Sequence, residues 1–230
     1  MPDPPTPRHG RDHDRDPRGT GPEAPPGGLL PSTGSEAALR PFARGEIVER
    51  LHHGPSLFSL VITGGGFQAV TDLLNRPGAS RTVHHVEIPY NQTALERLLP
   101  HLDGPAVSED VAVGLALGAR RRLGEDRGTG AVTATDLHGV GVTAALATDR
   151  NRRGDSHAWV ALAGGGGVCR LHLELPRSAG VDARLSQDRL VSDMILWVMA
   201  GSGPAPTWAA PETGPGAVLT VYPPASGARG

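Results

Sequence analysis

The chain has 230 residues, a formal net charge of −2 at pH 7 and one cysteine. A near-neutral balance gives no electrostatic case for nucleic acid or an anionic membrane surface, and one cysteine excludes an internal disulfide and a thiolate metal cluster. All 22 basic residues are arginine, so lysine chemistry is excluded as well. No apolar run reaches the roughly 18 residues of a membrane span, and the N-terminus lacks an apolar signal core. A cytoplasmic protein is expected, with neither nucleic acid nor membrane as partner.

Residues 1–35 are mostly Pro, Gly, Asp, Arg and His, with Leu29 and Leu30 the only bulky apolar pair. They offer too little apolar surface to offset the entropy of ordering, which predicts disorder. Asp12, His13 and Asp14 hint at a metal, but on such a tail, with no further ligand cluster, none is expected. Residues 37–53 read as an amphipathic helix stopped by Gly54-Pro55. The run LFSLVI at 57–62 predicts a buried strand, followed at once by Thr63-Gly64-Gly65-Gly66 and a helix over 67–74. A second strand over 81–89 and a short helix over 93–99 come next. Ser108 is placed to cap a helix running to about Leu123, its first-turn acids suiting the dipole.

Three strands follow, over 140–147, 157–163 and 168–175, the last two joined by a glycine hairpin turn at 164–167. A final helix over 182–199 is expected to bury Leu185, Leu190, Met194, Ile195, Trp197 and Val198. Residues 203–230 return to Pro, Gly, Ala and Ser and predict a second disordered tail. The reading is one α/β domain over 36–202, three-layered with a mixed sheet and helices on both faces. The tails are expected to be dispensable for folding.

A glycine loop between a strand and a helix N-terminus can hold an anion, because backbone N–H groups lie open at the positive end of a helix. The same loop can equally be a mere turn. It is not a Walker A loop, since lysine is missing, and Phe67-Gln68 breaks the G-x-G-x-x-G pattern. Around it stand Pro77-Gly78-Ala79-Ser80, Ile88-Pro89-Tyr90-Asn91, Pro105-Ala106-Val107-Ser108-Glu109 and Gly141-Val142-Thr143-Ala144. In order and spacing this set resembles the C-terminal domain of the CinA family, whose members hydrolyse the amide of nicotinamide mononucleotide. The family motifs are A-E-S-C-T-G-G, P-G-S/A-S, V-x-Y-S-N-E-A-K, G-A-V-S-E and S-G-I-A-G-P. Within it the chain is similar to a divergent branch carrying T-G-G-G, P-G-A-S-R-T-V and T-A-x-L-A-S-D-R-x-x-R-G-x-x-H.

The resemblance implies the CinA C-terminal fold, a small-molecule nucleotide as partner and no cofactor. It puts Thr63 at the serine nucleophile and keeps Tyr90, whereas the supporting lysine position holds Leu95 and the acid beside the nucleophile is Ile62. A gapped alternative would put Val61 at the serine and leave no nucleophile. Ligand contacts are expected from Gly64, Gly65, Gly66, Arg81, Thr143, Asp149, Arg150, Arg153 and His157, with Arg closing on a phosphate. His84 or His85 could titrate usefully, although surface strand residues are the commoner explanation. Arg120, Arg121 and Arg122 are expected to complement a helix C-terminus, and Cys169 to pack as a small apolar residue. Three functions stay open: an amidohydrolase of weakened or lost activity on a pyridine nucleotide, a silent nucleotide- or phosphate-binding module, and an assembly partner. A homo-oligomer is compatible with each.

Overall fold

The computed structural model describes residues 39–99, 104–128, 136–149, 154–202 and 208–224. In chain order the elements are α1 (Arg44–His53), β1 (Ser56–Thr63), α2 (Phe67–Leu74), β2 (Val83–Glu87), α3 (Gln92–Leu98) and α4 (Glu109–Gly128). Then follow β3 (Asp136–Ala145), β4 (Ser156–Gly164), β5 (Gly167–Leu175), α5 (Val181–Ala200) and β6 (Val218–Tyr222). The strands make one sheet in the order β2-β1-β3-β4-β5-β6. β1 is parallel to β2 and β3, and the remaining pairs are antiparallel. This is the mixed α/β sheet expected from the alternation of elements.

Alternating side chains divide each strand between two covered faces. Phe58, Leu60, Ile62, Val140, Val142, Val160 and Leu171 join residues of α1, α2 and α5 in one core. On the other face Val61 meets Val111 and Leu115 of α4 together with Leu95 of α3, and Ala161 and Ala163 meet Ala112 and Ala116. Helices therefore lie on both sides of the sheet. α4 approaches β3 closely because the strand turns glycine toward it. A Cβ on Gly141 would stand 2.1 Å from the Ala112 carbonyl oxygen, and one on Gly139 2.0 Å from that of Ala116.

Several expectations need correction. α1 begins at Arg44, not at 37, because the residues before it are held otherwise: Arg40 forms a parallel bridge to Trp208, and its carbonyl accepts from Ala209 N–H at 2.8 Å. Leu185 is 56 % exposed, since it shares the solvent stripe of α5 with Val181, Asp182 and Ser186. The expected disorder from Gly203 onward fails over 208–224. There β6 pairs with β5 from Glu174↔Val218 to Arg170↔Tyr222. Trp208 is 2 % exposed, with the Arg40 guanidinium 4.4 Å above its ring. A five-residue strand whose ladder partner lies far back in sequence leaves almost no trace in a Pro/Gly-rich composition. The N-terminal tail, 1–35, lies outside the described residues. Among the described residues no helix is long and apolar enough to cross a membrane.

His52 gives the fold a pH dependence. It is 1 % exposed, with Nδ1 2.8 Å from Thr82 Oγ1 and Nε2 3.0 Å from the Leu73 carbonyl. Burial pushes its pKa below the ordinary 6.5. Nε2 donates to the Leu73 carbonyl, while the Thr82 hydroxyl donates its one proton to the Leu51 carbonyl at 3.0 Å. With the pKa lowered on folding, the unfolded chain protonates this ring more readily, so the contribution is complete above pH 6.5 and is lost as pH falls through the lower, folded value. Urea unfolding between pH 7.5 and 5 should show declining stability, and His52→Asn should flatten the slope. An equal slope in the variant would assign the effect to other groups.

Candidate functional site

The chain leaves β1 for β2 on one side and returns to β3 on the other, so the carboxyl ends of β1 and β3 part at a topological switch point. Open α/β sheets take ligands in the crevice outside such strand ends. Thr63 and Thr143 pair there as the last partners of the β1–β3 ladder. The row continues through Trp159 on β4 and His172 on β5. Two rows further out lie Ala145 and His157. Thr143 is fully buried, its hydroxyl donating to the Ser108 carbonyl at 3.5 Å. Ser108 caps α4 as expected, its Oγ accepting from Val111 N–H at 3.4 Å.

The glycine loop is built differently from an open anion cradle. Asp188, from α5, lays its carboxylate over the N-terminus of α2. Its Oδ1 accepts from Gly66 N–H at 2.7 Å and Phe67 N–H at 3.2 Å, and its Oδ2 accepts from Gln68 N–H at 3.3 Å. The protein's own anion thus satisfies the orphan donors of that helix, and a phosphate over the loop would face a carboxylate. Of the glycines expected to seat a phosphate, Gly66 has its N–H taken by this carboxylate. The glycines serve close packing: Gly64 has φ +81°, and a Cβ there would lie 1.9 Å from the Ala144 carbonyl oxygen, while one on Gly65 would lie 2.4 Å from Leu146 Cδ1. Removing the carboxylate by Asp188→Ala should lower stability by about 2–4 kcal/mol, the scale of several buried donors left unpaired. Denaturant unfolding checks this, and a loss below about 0.5 kcal/mol, the range of neutral surface changes, would mean that water replaces the carboxylate.

Thr63 donates its hydroxyl proton to the Pro89 carbonyl at 2.9 Å, a group that cannot serve as a base. Tyr90 follows Pro89 and is 65 % exposed, its ring tilted against Phe67 at 6.0 Å between centroids. Leu95, at the lysine position implied by the resemblance, is 3 % exposed and packs beside Val61, Val111 and Leu115.

The residue that ties this edge together is Arg184, which the sequence reading missed. From the first turns of α5 it donates Nη1 to the Ala147 carbonyl at 3.1 Å and Nη2 to the Gly64 carbonyl at 3.2 Å. Nη2 also lies 3.4 Å from the Tyr90 hydroxyl. All three acceptors are neutral. A cation near the positive end of a helix is unfavourable, and that misplacement was the one signal in the sequence.

Other expected contacts disperse. Arg81 sits where the parallel strands begin, at the opposite end of the sheet, and its Nε donates to the His52 carbonyl at 3.0 Å. The turn that places it there leads into β2, away from the other expected contacts. Asp149 is exposed just beyond the β3 end. Arg150 and Arg153 lie outside the described residues. His157 faces an open cleft of about 860 Å³ beside Val107, Ala145 and Glu174, its Nδ1 3.4 Å from His172 Nε2. His84 bonds Asp126 at 2.8 Å on the surface, in line with the surface reading. Arg120, Arg121 and Arg122 fall within α4, which runs past Gly124 to Gly128. Burial raises the Cys169 thiol pKa, as suits a packing residue. Among the described residues no three His, Cys, Asp or Glu side chains gather to hold a metal.

No protein-family model and no curated protein matches the sequence. Solved structures do. A competence or damage-inducible protein from Enterobacter asburiae superposes with a TM-score of 0.50 at 12 % identity, over 70 % of this chain and 99 % of that one. The competence/damage inducible protein CihA from Agrobacterium tumefaciens gives 0.49 at 18 % identity, over 69 % and 97 %. A competence-damaged protein (CinA) superfamily protein from Enterobacter cloacae gives 0.47 at 12 % identity, over 75 % and 99 %. The mixed six-stranded sheet with helices on both faces is thus the fold this chain shares with a solved competence or damage-inducible protein.

Proposed function

We propose that the protein binds a small anionic molecule, bearing a phosphate or a carboxylate, at the carboxyl edge of β1 and β3, and does not hydrolyse an amide there. Arg184 carries this reading. It is held by two carbonyls and a hydroxyl and forms no ion pair among the described residues. Of the five N–H donors of a guanidinium, two remain for a ligand, one on Nε and one on Nη1, each able to make a charge-assisted bond to a phosphate or carboxylate oxygen. A mononucleotide such as nicotinamide mononucleotide suits the site, with its phosphate on Arg184 and its ring against exposed Tyr90. Turnover lacks its parts: the Thr63 proton is committed to a carbonyl, the chain has no lysine, and Leu95 is core.

Calorimetric titration of the full chain with nicotinamide mononucleotide tests this. Arg184→Ala should weaken binding about 10- to 100-fold, the value of one charge-assisted contact of about 1.5–3 kcal/mol, and more so at low salt. Thr63→Ala should leave affinity within about two-fold, equivalent to less than 0.5 kcal/mol, and ammonia release should be absent throughout. Release at roughly 1–1000 per second, abolished by Thr63→Ala, would establish the amidohydrolase instead.

A further inference from the structure

The sheet runs from β2 to β6, so each of these two strands has one side that pairs with no strand among the described residues. A sheet edge presents unpaired N–H and C=O groups, and folded chains commonly guard it with charge, proline or a bulge. The β2 edge is guarded. It carries His84, His85 and Glu87, and α4 reaches over it, with Asp126 bonding His84 at 2.8 Å and Arg122 standing 3.5 Å from Glu87. The β6 edge is not. Val218-Leu219-Thr220-Val221-Tyr222 holds no charge and no proline, and its ladder to β5 runs from Arg170↔Tyr222 to Glu174↔Val218 without a bulge. Val218 is 53 % exposed, Val221 44 % and Tyr222 37 %.

This strand is its own complement. A two-fold axis through Thr220, perpendicular to the sheet, lays a second β6 antiparallel to the first. Val218 then stands opposite Tyr222, Leu219 opposite Val221, and Thr220 opposite its own copy. Positions 218, 220 and 222 share one face and 219 and 221 the other. Apolar side chains therefore meet apolar ones on both faces and threonine meets threonine at the axis, all pairings that stabilise a sheet. One strand further in, Glu174 lies beside Val218 and Arg170 beside Tyr222. The axis sets Glu174 in line with the second copy's Arg170, so no like charges are opposed. Pro223 and Pro224 end the strand and confine the pairing to this register. We propose that two copies of this chain pair through β6, joining their six-stranded sheets into one continuous sheet.

So short a ladder falls below the roughly 1,200 Å² of a stable complex, so sedimentation of the full chain up to about 200 µM should show a reversible rise from one chain mass towards two. Crosslinking tests the register. Directly opposed residues have Cα atoms about 4.5–5.5 Å apart, inside the roughly 4.4–6.8 Å that a disulfide needs. Thr220→Cys should therefore link two copies on mild oxidation. Val218→Cys should link at least about ten-fold less, because its two copies would lie about 14 Å apart along the strands. Cys169, the only native cysteine, is present in both variants and in the wild type, which gives the background. Thr220→Lys opposes two ammonium groups at the axis and should weaken association about three-fold or more at low salt, with recovery as salt rises. The proposal is overturned if the wild-type chain stays single over this range, which would leave the edge to a different partner. It is overturned equally if Val218→Cys links as fast as Thr220→Cys, or if Thr220→Lys associates as tightly as the wild type. The wild-type sedimentation decides by itself should a variant fail to fold.

Discussion

Ending the chain at Ser202 should lower its melting temperature by roughly 6–20 °C or leave it unfolded at 37 °C. The missing segment contains Trp208, 2 % exposed and part of the main core. Loss of a buried tryptophan side chain alone costs about 3–5 kcal/mol, and for a chain of this size each kcal/mol moves the midpoint by about 2–4 °C. Removing β6 also exposes the outer edge of β5, which now pairs from Arg170 to Glu174. Against a total stability of about 5–15 kcal/mol this is a large fraction. Calorimetry of the full and truncated chains checks it, and Trp208→Ala in the full chain should reproduce most of the loss. Coincident melting curves would show that the segment contributes nothing.

Gly141→Val should be at least as severe. The β-carbon would stand 2.1 Å from the Ala112 carbonyl oxygen and 2.5 Å from Ala116 N–H nitrogen. Both are helix backbone, so no rotamer change relieves the clash. Either α4 lifts off β3, abandoning the contacts of Ala112 and Ala116 with Ala161 and Ala163, or the strand buckles. Overpacking ordinarily costs about 1–3 kcal/mol where side chains can yield, and here more than about 3 kcal/mol is expected. Gly165→Ala is the control, since a Cβ there meets nothing within 4 Å, and it should change stability by less than about 0.5 kcal/mol. Urea unfolding of both variants provides the comparison, and similar midpoints would mean that α4 does not depend on a glycine surface.

Much of the architecture could be read from residues alone, for local reasons. LFSLVI at β1 is a continuous apolar run because the strand is buried on both faces, and four glycines at 164–167 announced the β4–β5 hairpin. The glycine loop was found in the right place, between β1 and α2, but not the carboxylate that meets the start of α2. What a helix N-terminus binds depends on what else arrives there, and the arrival was Asp188, more than a hundred residues away in sequence. The same holds for Arg184, whose three acceptors come from the segments that follow β1, β2 and β3.

What the sequence by itself determined was therefore the kind of fold, the order of its elements from α1 to α5 and the glycine loop at the end of β1. Those follow from periodicity, glycine placement and caps, all of which act within a few residues. Only the tertiary structure decided that Arg81 belongs to the far end of the sheet, that Leu95 is core, and that 208–224 returns to close the sheet. It also decided that donors at the start of α2 are taken by a carboxylate, while Arg184 pairs with no acid among the described residues. These are matters of which distant groups meet, and they are fixed by parallel pairing and by the packing of α5 across the strand ends, which no local pattern encodes.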